Sequence, residues 1–144
     1  MSKKIKFDTI LRKIKSQRKA VAFQIANKGV NHFKQNFRDG GFTDEAFERW
    51  QPRQGEIRGG IGMVAKKSKG SRAILIKSGL LRRSIKKLKV TPNSIIVGTN
   101  STTYASYHNA GTDNMPQRKF IGRSKVLSRS ISSLISAYVK KAFK

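Results

Sequence analysis

Residues 84–99 read SIKKLKVTPNSIIVGT, and this stretch decides the fold class. The segments 84–90 and 94–99 are rich in strand-forming residues, and Thr91-Pro92-Asn93 between them has the composition of a turn. The apolar run Ile95-Ile96-Val97 suits a buried position in a sheet. The stretch therefore predicts an antiparallel β-hairpin in a chain whose other strong patterns are helical.

Two long amphipathic patterns lie at the ends of the chain. Residues 7–37 place apolar residues at helical spacing with Lys and Arg between them, and Asp39-Gly40-Gly41 supplies a helix end. Gly29 weakens this helix near its middle and could mark a kink. Residues 124–143 predict a second helix, whose apolar face contains Leu127, Ile131, Leu134, Ile135, Tyr138 and Ala142. The order of the elements predicts an α+β fold with a long N-terminal helix, a small antiparallel sheet and a C-terminal helix.

Two shorter helices are expected between these patterns. Thr43 has the character of an N-cap, and the helix that it opens would carry Phe47 and Trp50 and stop before Pro52. Residues 104–111, YASYHNAG, predict a helical turn that Gly111 closes. An aromatic core cluster is expected beneath the first helix, formed by Phe37, Phe42, Phe47 and Trp50.

Residues 53–72 have a different character. They mix five glycines with six basic residues and keep neither a helical nor a strand period. A stretch of this length without a period is typical of a functional or disordered loop. We therefore expect a single domain over 1–144 with a long, basic, glycine-rich loop, a flexible arm at about 53–72.

The charge is almost entirely of one sign. The 144 residues include 32 Lys and Arg but only 7 Asp and Glu, for a formal net charge of +25. Self-repulsion of this size favours a polyanionic partner or a crowded assembly. Any one basic cluster is also compatible with a solvated helix face, but together they exceed what solubility requires. Contact with a polyanion is predicted for Arg58, Lys66, Lys67, Lys69, Arg72, Arg82, Arg83, Lys86 and Lys87.

Several classes of function find no support in the sequence. The chain has no cysteine, so disulfides and thiolate chemistry are excluded. No apolar run approaches the roughly 18 residues of a membrane span, and no membrane partner is expected. Two histidines and seven scattered acids do not form a metal-binding pattern, and no motif for a cofactor is present.

His108 is the residue that most invites a catalytic interpretation. A triad with Ser106 or Ser84 and Asp113 can be imagined, but no nucleophile-elbow pattern surrounds either serine. We expect His108 to be a structural or interface residue, hydrogen-bonded near Asn109. His32 is expected to face solvent. The sequence therefore predicts a protein that is not an enzyme and that binds no cofactor.

Three blocks follow one another in the second half of the chain: SGLLRRSI at 78–85, VGT at 97–99 with YASYHNAG at 104–111, and PQRKFIGRS at 116–124. In this order they resemble the virion-morphogenesis family of tailed bacteriophages, the small tail-completion or neck proteins. Phe37, Gly40-Gly41-Phe42 and Trp50 resemble the first stretch of the same family. The resemblance covers about 30–130. It implies a small α+β protein without catalytic residues that acts at the head–tail interface as a ring of copies.

The resemblance also implies partners and a location. The expected partners are further copies of the chain and other neck, connector or tail proteins, with non-specific contact to genomic DNA. The expected location is the neck or tail region of the virion, assembled in the cytoplasm of a bacterial host. Contacts with a subunit or partner are predicted for Tyr104, Tyr107, His108, Asn109, Arg118 and Phe120, with Phe120 as an apolar anchor. The alternative is a stand-alone basic nucleic-acid-binding protein of architectural or ribosomal type. Composition suits it equally well, but no recognisable nucleic-acid-binding motif supports it.

Overall fold

The chain runs α-β-β-α-β-β-α-α in a computed structural model, which describes residues 7–52, 73–100 and 103–143. The elements are α1 Phe7–Asp39, β1 Gly41–Thr43, β2 Phe47–Arg49, α2 Leu80–Ser84, β3 Lys86–Val90, β4 Ile95–Gly98, α3 Ala105–Ala110 and α4 Lys125–Ala142. This confirms the α+β fold class and both long helices. The arm predicted at 53–72 lies outside the described residues.

Helix α1 is continuous over 33 residues, a length of about 50 Å. Gly29 does not interrupt it. Gly29 instead faces β4, where a Cβ would be in van der Waals contact with Cγ2 of Val97 at 3.4 Å. The glycine that the sequence suggested as a kink is therefore a point of close contact between α1 and the hairpin.

The prediction of a short helix that begins at Thr43 is wrong. Residues 41–49 form an antiparallel pair, β1 with β2, in which Phe42 is opposite Glu48. Asp44, the residue after the expected N-cap, instead contributes to the start of α4: its Oδ1 accepts from the backbone N–H of Lys125 at 2.7 Å. The side chain of Asp44 therefore serves a helix that begins 81 residues further along the chain.

The hairpin of β3 and β4 is confirmed, with Thr91 and Ser94 closing its turn through a 2.8 Å backbone hydrogen bond. Its first strand is shorter than expected, because Ser84 ends the five-residue helix α2. That helix was not predicted; it follows Gly79, whose φ of 74° lies in the left-handed region that glycine tolerates. A bulge between Lys87 and Lys89 shifts the register of the pair.

The core is an aromatic cluster in which α1 packs with β1, Trp50, α2, α3 and the segment before α4. It contains Phe33, Phe37, Phe42, Trp50, Leu81, Ile85, Ala105 and Phe120. The ring of Phe37 lies 5.5 Å from that of Trp50 and 5.2 Å from that of Phe120. Phe47, which the sequence placed in this cluster, is instead 48% exposed on β2. Successive strand residues point to opposite faces, so Phe47 and the neighbouring Trp50 are not constrained to the same side.

Helix α4 runs back along α1. Its first turn is bonded to Asp44, beyond the end of α1, whereas Tyr138 near its other end accepts a 3.0 Å hydrogen bond from Gln24 in the middle of α1. Within the described ranges, no helix combines the length and the apolar character that crossing a membrane would take.

Candidate functional site

The two motif segments that follow the hairpin bind each other. Asn109, in α3, accepts hydrogen bonds through Oδ1 from the backbone N–H groups of Phe120 and Ile121, both at 3.0 Å. The N–H of Arg118 donates to the carbonyl of His108 at 2.8 Å. Gly111 ends α3 with φ 81°, and a Cβ there would lie 2.9 Å from the backbone nitrogen of Gln117. The asparagine and the glycine of the HNAG motif are therefore required by the close approach of the 117–121 segment.

The 117–121 segment also binds the N-terminal half of the chain. Asn36 of α1 donates to the carbonyl of Phe120 at 3.1 Å, and the indole N–H of Trp50 donates to the carbonyl of Lys119 at 2.7 Å. The guanidinium of Arg118 donates in the other direction, to the carbonyls of Gln51 at 3.1 Å and Pro52 at 3.4 Å. We call this set of contacts around residues 117–121 the clamp. It satisfies buried polar groups that would otherwise destabilise the core.

The clamp changes the interpretation of three predicted interface residues. Phe120 is 1% exposed and lies in the core of its own chain, so its prediction as an anchor on a partner is wrong. Asn109 and Arg118 direct their polar atoms to backbone groups of the same chain. The sequence pattern could not distinguish these roles. A phenylalanine or an arginine in a loop is as suitable for a contact within its own chain as for a contact with a partner.

Tyr104 and Tyr107 remain at the surface. They are 40% and 58% exposed, and the Tyr104 ring lies edge-on to His108 at 5.8 Å between centroids. Their role as contacts for another subunit stays a prediction.

Both histidines are half-buried. Burial, followed by the positive charge of Arg118, lowers the pKa of His108. Burial lowers the pKa of His32 as well, against a smaller opposing effect of a hydrogen bond with the Thr43 backbone. His32 lies beside the rings of Phe33 and Phe42, so the expectation that it faces solvent is wrong. Within the described ranges, His108 Nδ1 and His32 Nε2 are buried without a hydrogen-bond partner, so the bond expected for His108 near Asn109 is made by its carbonyl and not by its ring.

The hydroxyl groups considered for a triad serve the backbone. Ser84 donates to the carbonyl of Leu81 at 2.7 Å, and Ser106 donates to the carbonyl of Thr103 at 3.3 Å. Across the described residues, no group of three His, Cys, Asp or Glu side chains could hold a metal ion.

A cationic face covers α2 and β3. We use this name for Arg82, Arg83, Lys86, Lys87 and Lys89, of which all but the half-buried Arg82 are exposed. None of them forms an ion pair with an acidic residue in the described part of the chain. Lys87 alone turns back toward α1, where it donates to Asn27 at 3.0 Å and lies 5.5 Å from the centre of the Phe23 ring.

The bulge in β3 aligns two of these cations. Lys86 is opposite Gly98 and Lys89 is opposite Ile96, and residues two apart on β4 point to the same face. Without the bulge, Lys86 and Lys89, three positions apart, would point to opposite faces. The other predicted polyanion contacts, Arg58, Lys66, Lys67, Lys69 and Arg72, lie outside the described residues.

The acidic side chains of Asp44 and Glu45 form contacts away from the cationic face. Glu45 forms ion pairs with Lys125 at 2.6 Å and Arg129 at 2.8 Å, and Asp44 caps the same helix. Because these contacts lie at the start of α4, they do not neutralise the cationic face.

Comparison with known proteins agrees with these features. A model of the phage virion morphogenesis family matches residues 4–140, nearly the whole chain. No curated protein and no solved structure shows significant similarity. The family is one of structural proteins associated with the phage virion, consistent with a chain whose motif residues hold its own core together. The chain belongs to the phage virion morphogenesis family.

Proposed function

We propose that the protein is a structural subunit of the neck or tail of a phage particle that joins head and tail or completes the tail. It acts as one member of a ring of copies, with its basic segments directed at DNA or at acidic neighbouring proteins. The observation that carries the proposal is the cationic face of α2 and β3, unpaired with any described acidic residue, in a chain of the virion morphogenesis family.

The cationic face suits a polyanion because of its geometry. Lys86 and Lys89 share the outer side of the hairpin, and Arg83 precedes them at the end of α2. Exposed Lys and Arg side chains on a rigid element bind phosphate oxygens without reading the base sequence. A DNA end that passes through a ring presents such phosphates to the cationic face. The acidic surface of an adjacent ring presents carboxylates to it in the same way.

Self-association is supported by apolar side chains that the fold leaves exposed. Tyr107 and Leu80, which lie within two of the segments that carry the family motifs, are 58% and 54% exposed. A net charge of +25 opposes contact between copies unless an apolar interface or a shared polyanion offsets the repulsion. Copies arranged in a ring around DNA would have both an apolar interface and a shared polyanion.

The experiment that tests the proposal is electron microscopy of lysates from a phage that lacks this gene. We expect full heads and finished tails that remain separate, or tails of abnormal length. Normal infectious particles would overturn the neck proposal, and the basic charge would then favour a stand-alone nucleic-acid-binding role.

Complementation separates the role of the cationic face from the role of charge in general. A triple variant Arg82→Ala, Lys86→Ala, Lys89→Ala removes three charges from the face. A matched variant Arg123→Ala, Lys140→Ala, Lys141→Ala removes the same residue types from exposed positions near α4. We expect only the first to restore fewer infectious particles than the wild-type gene. Equal complementation by both variants would contradict a specific role for the face.

A further inference from the structure

A second group of cations lies on helix α1, in a line that leads toward the hairpin. Arg12, Lys15 and Lys19 are exposed and precede Phe23 in steps of three and four residues, so they share one side of the helix. We call these three basic residues the α1 row. At 1.5 Å per residue, the row and Phe23 together cover about 17 Å of the helix.

Lys87 connects the α1 row to the cationic face. Its ammonium group donates to Oδ1 of Asn27 at 3.0 Å and lies 5.5 Å from the centre of the ring of Phe23, which is one helical turn beyond Lys19. An ammonium group has three donors, and Asn27 accepts from one of them. Lys87 therefore places a cation beside the end of the row and keeps N–H groups for a ligand.

Few negative charges offset these cations. Asp8 is the only acidic residue of α1 before Asp39, and the sequence has none between Glu56 and Asp113, a stretch that includes the whole cationic face. Asp8 lies one turn before Arg12, and neither it nor the α1 row forms an ion pair within the described ranges. Counted against the row and Lys87, this one carboxylate leaves three of their four positive charges.

We infer that the α1 row and the cationic face form one phosphate-binding track, along which a single stretch of duplex DNA contacts both α1 and the hairpin. The inference rests on the proposed function and names DNA as the ligand of its basic segments. A duplex carries one charge per about 1.7 Å of its axis, so a track of this length lies beside several phosphates.

The composition of the α1 row favours DNA over an acidic protein surface. The centre of a protein–protein interface is enriched in aromatic residues and depleted of Lys. Every exposed residue from Arg12 to Lys19 is basic or is Ser16. Phe23, at the end of the row, is 41% exposed and lies beneath the ammonium group of Lys87. Lys, Arg, Ser and Asn are side chains that bind phosphate oxygens, so this surface suits a nucleic-acid backbone.

The salt dependence of duplex binding tests the track in the full chain. The variant Arg12→Ala, Lys15→Ala, Lys19→Ala should reduce the magnitude of the slope of log binding constant against log salt by about 2 to 3, because up to three phosphate contacts are lost. Alanine is a strong helix former, so α1 should keep its structure, which circular dichroism checks.

A matched control comes from the same helix. The variant Lys13→Ala, Lys28→Ala, Arg38→Ala removes the same residue types at positions about 100° or more around the helix axis from Lys19. Its slope should change by less than about 1. Equal slopes for the two variants would overturn the inference.

The same measurement distinguishes one track from two separate sites. If α1 and the hairpin bound different duplexes, the loss of the α1 row would leave the hairpin site with its full salt dependence. A slope that falls in the α1 row variant therefore requires that both surfaces contact the same bound duplex. An unchanged slope would overturn the single track.

The absence of native cysteine allows a direct test of proximity. Ser16→Cys, in the middle of the α1 row, can carry an iron chelate that cleaves nearby DNA. Ser132→Cys, exposed on α4, is the matched control. We expect cleavage of a bound duplex from position 16 and little from position 132. Cleavage that is no stronger from position 16 than from position 132 would overturn the contact with α1.

The outcomes separate this inference from the proposed function. If the duplex binds but only the cationic-face variant reduces the slope, the α1 row is not part of the site and the proposed function stands. If the wild-type chain binds no duplex even at low salt, the inference is wrong and acidic neighbouring proteins remain as the partners in the proposed function. The position in the particle is tested independently by the microscopy of phage that lack the gene.

Discussion

Asn109 stabilises the clamp through a single oxygen atom. That atom accepts the N–H groups of Phe120 and Ile121, and its removal leaves two partly buried donors without a partner. We expect Asn109→Ala to lower the free energy of unfolding by about 2 to 3 kcal/mol, because each unsatisfied buried group costs about 1 to 3 kcal/mol. Urea denaturation measures the change.

A matched asparagine gives the control for this prediction. Asn114 is exposed in the turn between Thr112 and Met115, so Asn114→Ala should change stability by less than about 0.5 kcal/mol. Equal stability of the two variants would show that the Asn109 side chain is not needed to hold the 117–121 segment.

The two half-buried histidines make stability depend on pH. Burial lowers the pKa of both His32 and His108, so the unfolded chain binds protons at a higher pH than the folded chain does. Between the folded pKa and the unfolded value of about 6.5, the unfolded state carries more protons, and stability falls as the pH falls. We expect the urea midpoint to decrease from pH 7.5 to pH 5.5.

The double variant His32→Phe/His108→Phe should reduce this dependence, since phenylalanine keeps an aromatic ring beside Phe33 and Tyr104 but cannot be protonated. A wild-type midpoint that is constant or higher at pH 5.5 would contradict the prediction.

At the scale of elements, the first backbone N–H groups of α4 donate to acceptors that lie outside the helix. The N–H groups of Lys125 and Val126 donate to Oδ1 and the carbonyl of Asp44, and the N–H of Leu127 donates to Oγ of Ser124. Ser124 in turn donates to the carbonyl of Thr43 at 2.8 Å. The start of α4 and the β1–β2 pair therefore depend on each other.

Leu127 tests whether this helix contributes to the core. It packs against the aromatic cluster, and Leu127→Asp would place a charge there, which we expect to cost at least about 3 kcal/mol. Ser132→Asp adds the same charge on the exposed side of α4 and should cost less than about 0.5 kcal/mol. Thermal unfolding followed by circular dichroism distinguishes them, and a Leu127→Asp variant as stable as Ser132→Asp would refute the assigned face.

The elements that sequence patterns predicted are those whose signals are local. The periodicity of α1 and α4 and the turn at Pro92 lie within each element, so the two helices and the hairpin could be predicted. The β1–β2 pair could not, because the acceptors at Thr43 and Asp44 serve residues 81 positions away. For the same reason the exposure of Phe120 could not be read from its motif, since its partner Asn36 is 84 positions distant.

At the scale of the whole molecule, the uneven charge predicts that the proposed binding to DNA is sensitive to salt. The logarithm of the binding constant for duplex DNA falls with the logarithm of salt concentration by about 0.9 per phosphate neutralised. We expect the triple variant of the cationic face (Arg82→Ala, Lys86→Ala, Lys89→Ala) to reduce the magnitude of that slope by about 2 to 3. Fluorescence anisotropy with a labelled duplex at several salt concentrations measures it.

The variant Arg123→Ala, Lys140→Ala, Lys141→Ala is again the control, because it lowers the net charge equally. Its slope should change by less than about 1. The same slope for both triple variants would mean that total charge, and not the cationic face, governs the affinity.

The clamp also determines when the protein can fold during its synthesis. Trp50 and Asn36 find their acceptors 69 and 84 positions later, at Lys119 and Phe120. At about 5 to 20 residues per second, the ribosome needs roughly 3 to 14 s to add the residues between Trp50 and Lys119. The aromatic cluster is incomplete and exposed to solvent during that time, as expected for folds with contacts that are distant in sequence. A translation product cut short before Phe120 lacks these acceptors and cannot complete the core, so the late position of the clamp keeps truncated copies out of the pool of folded protein.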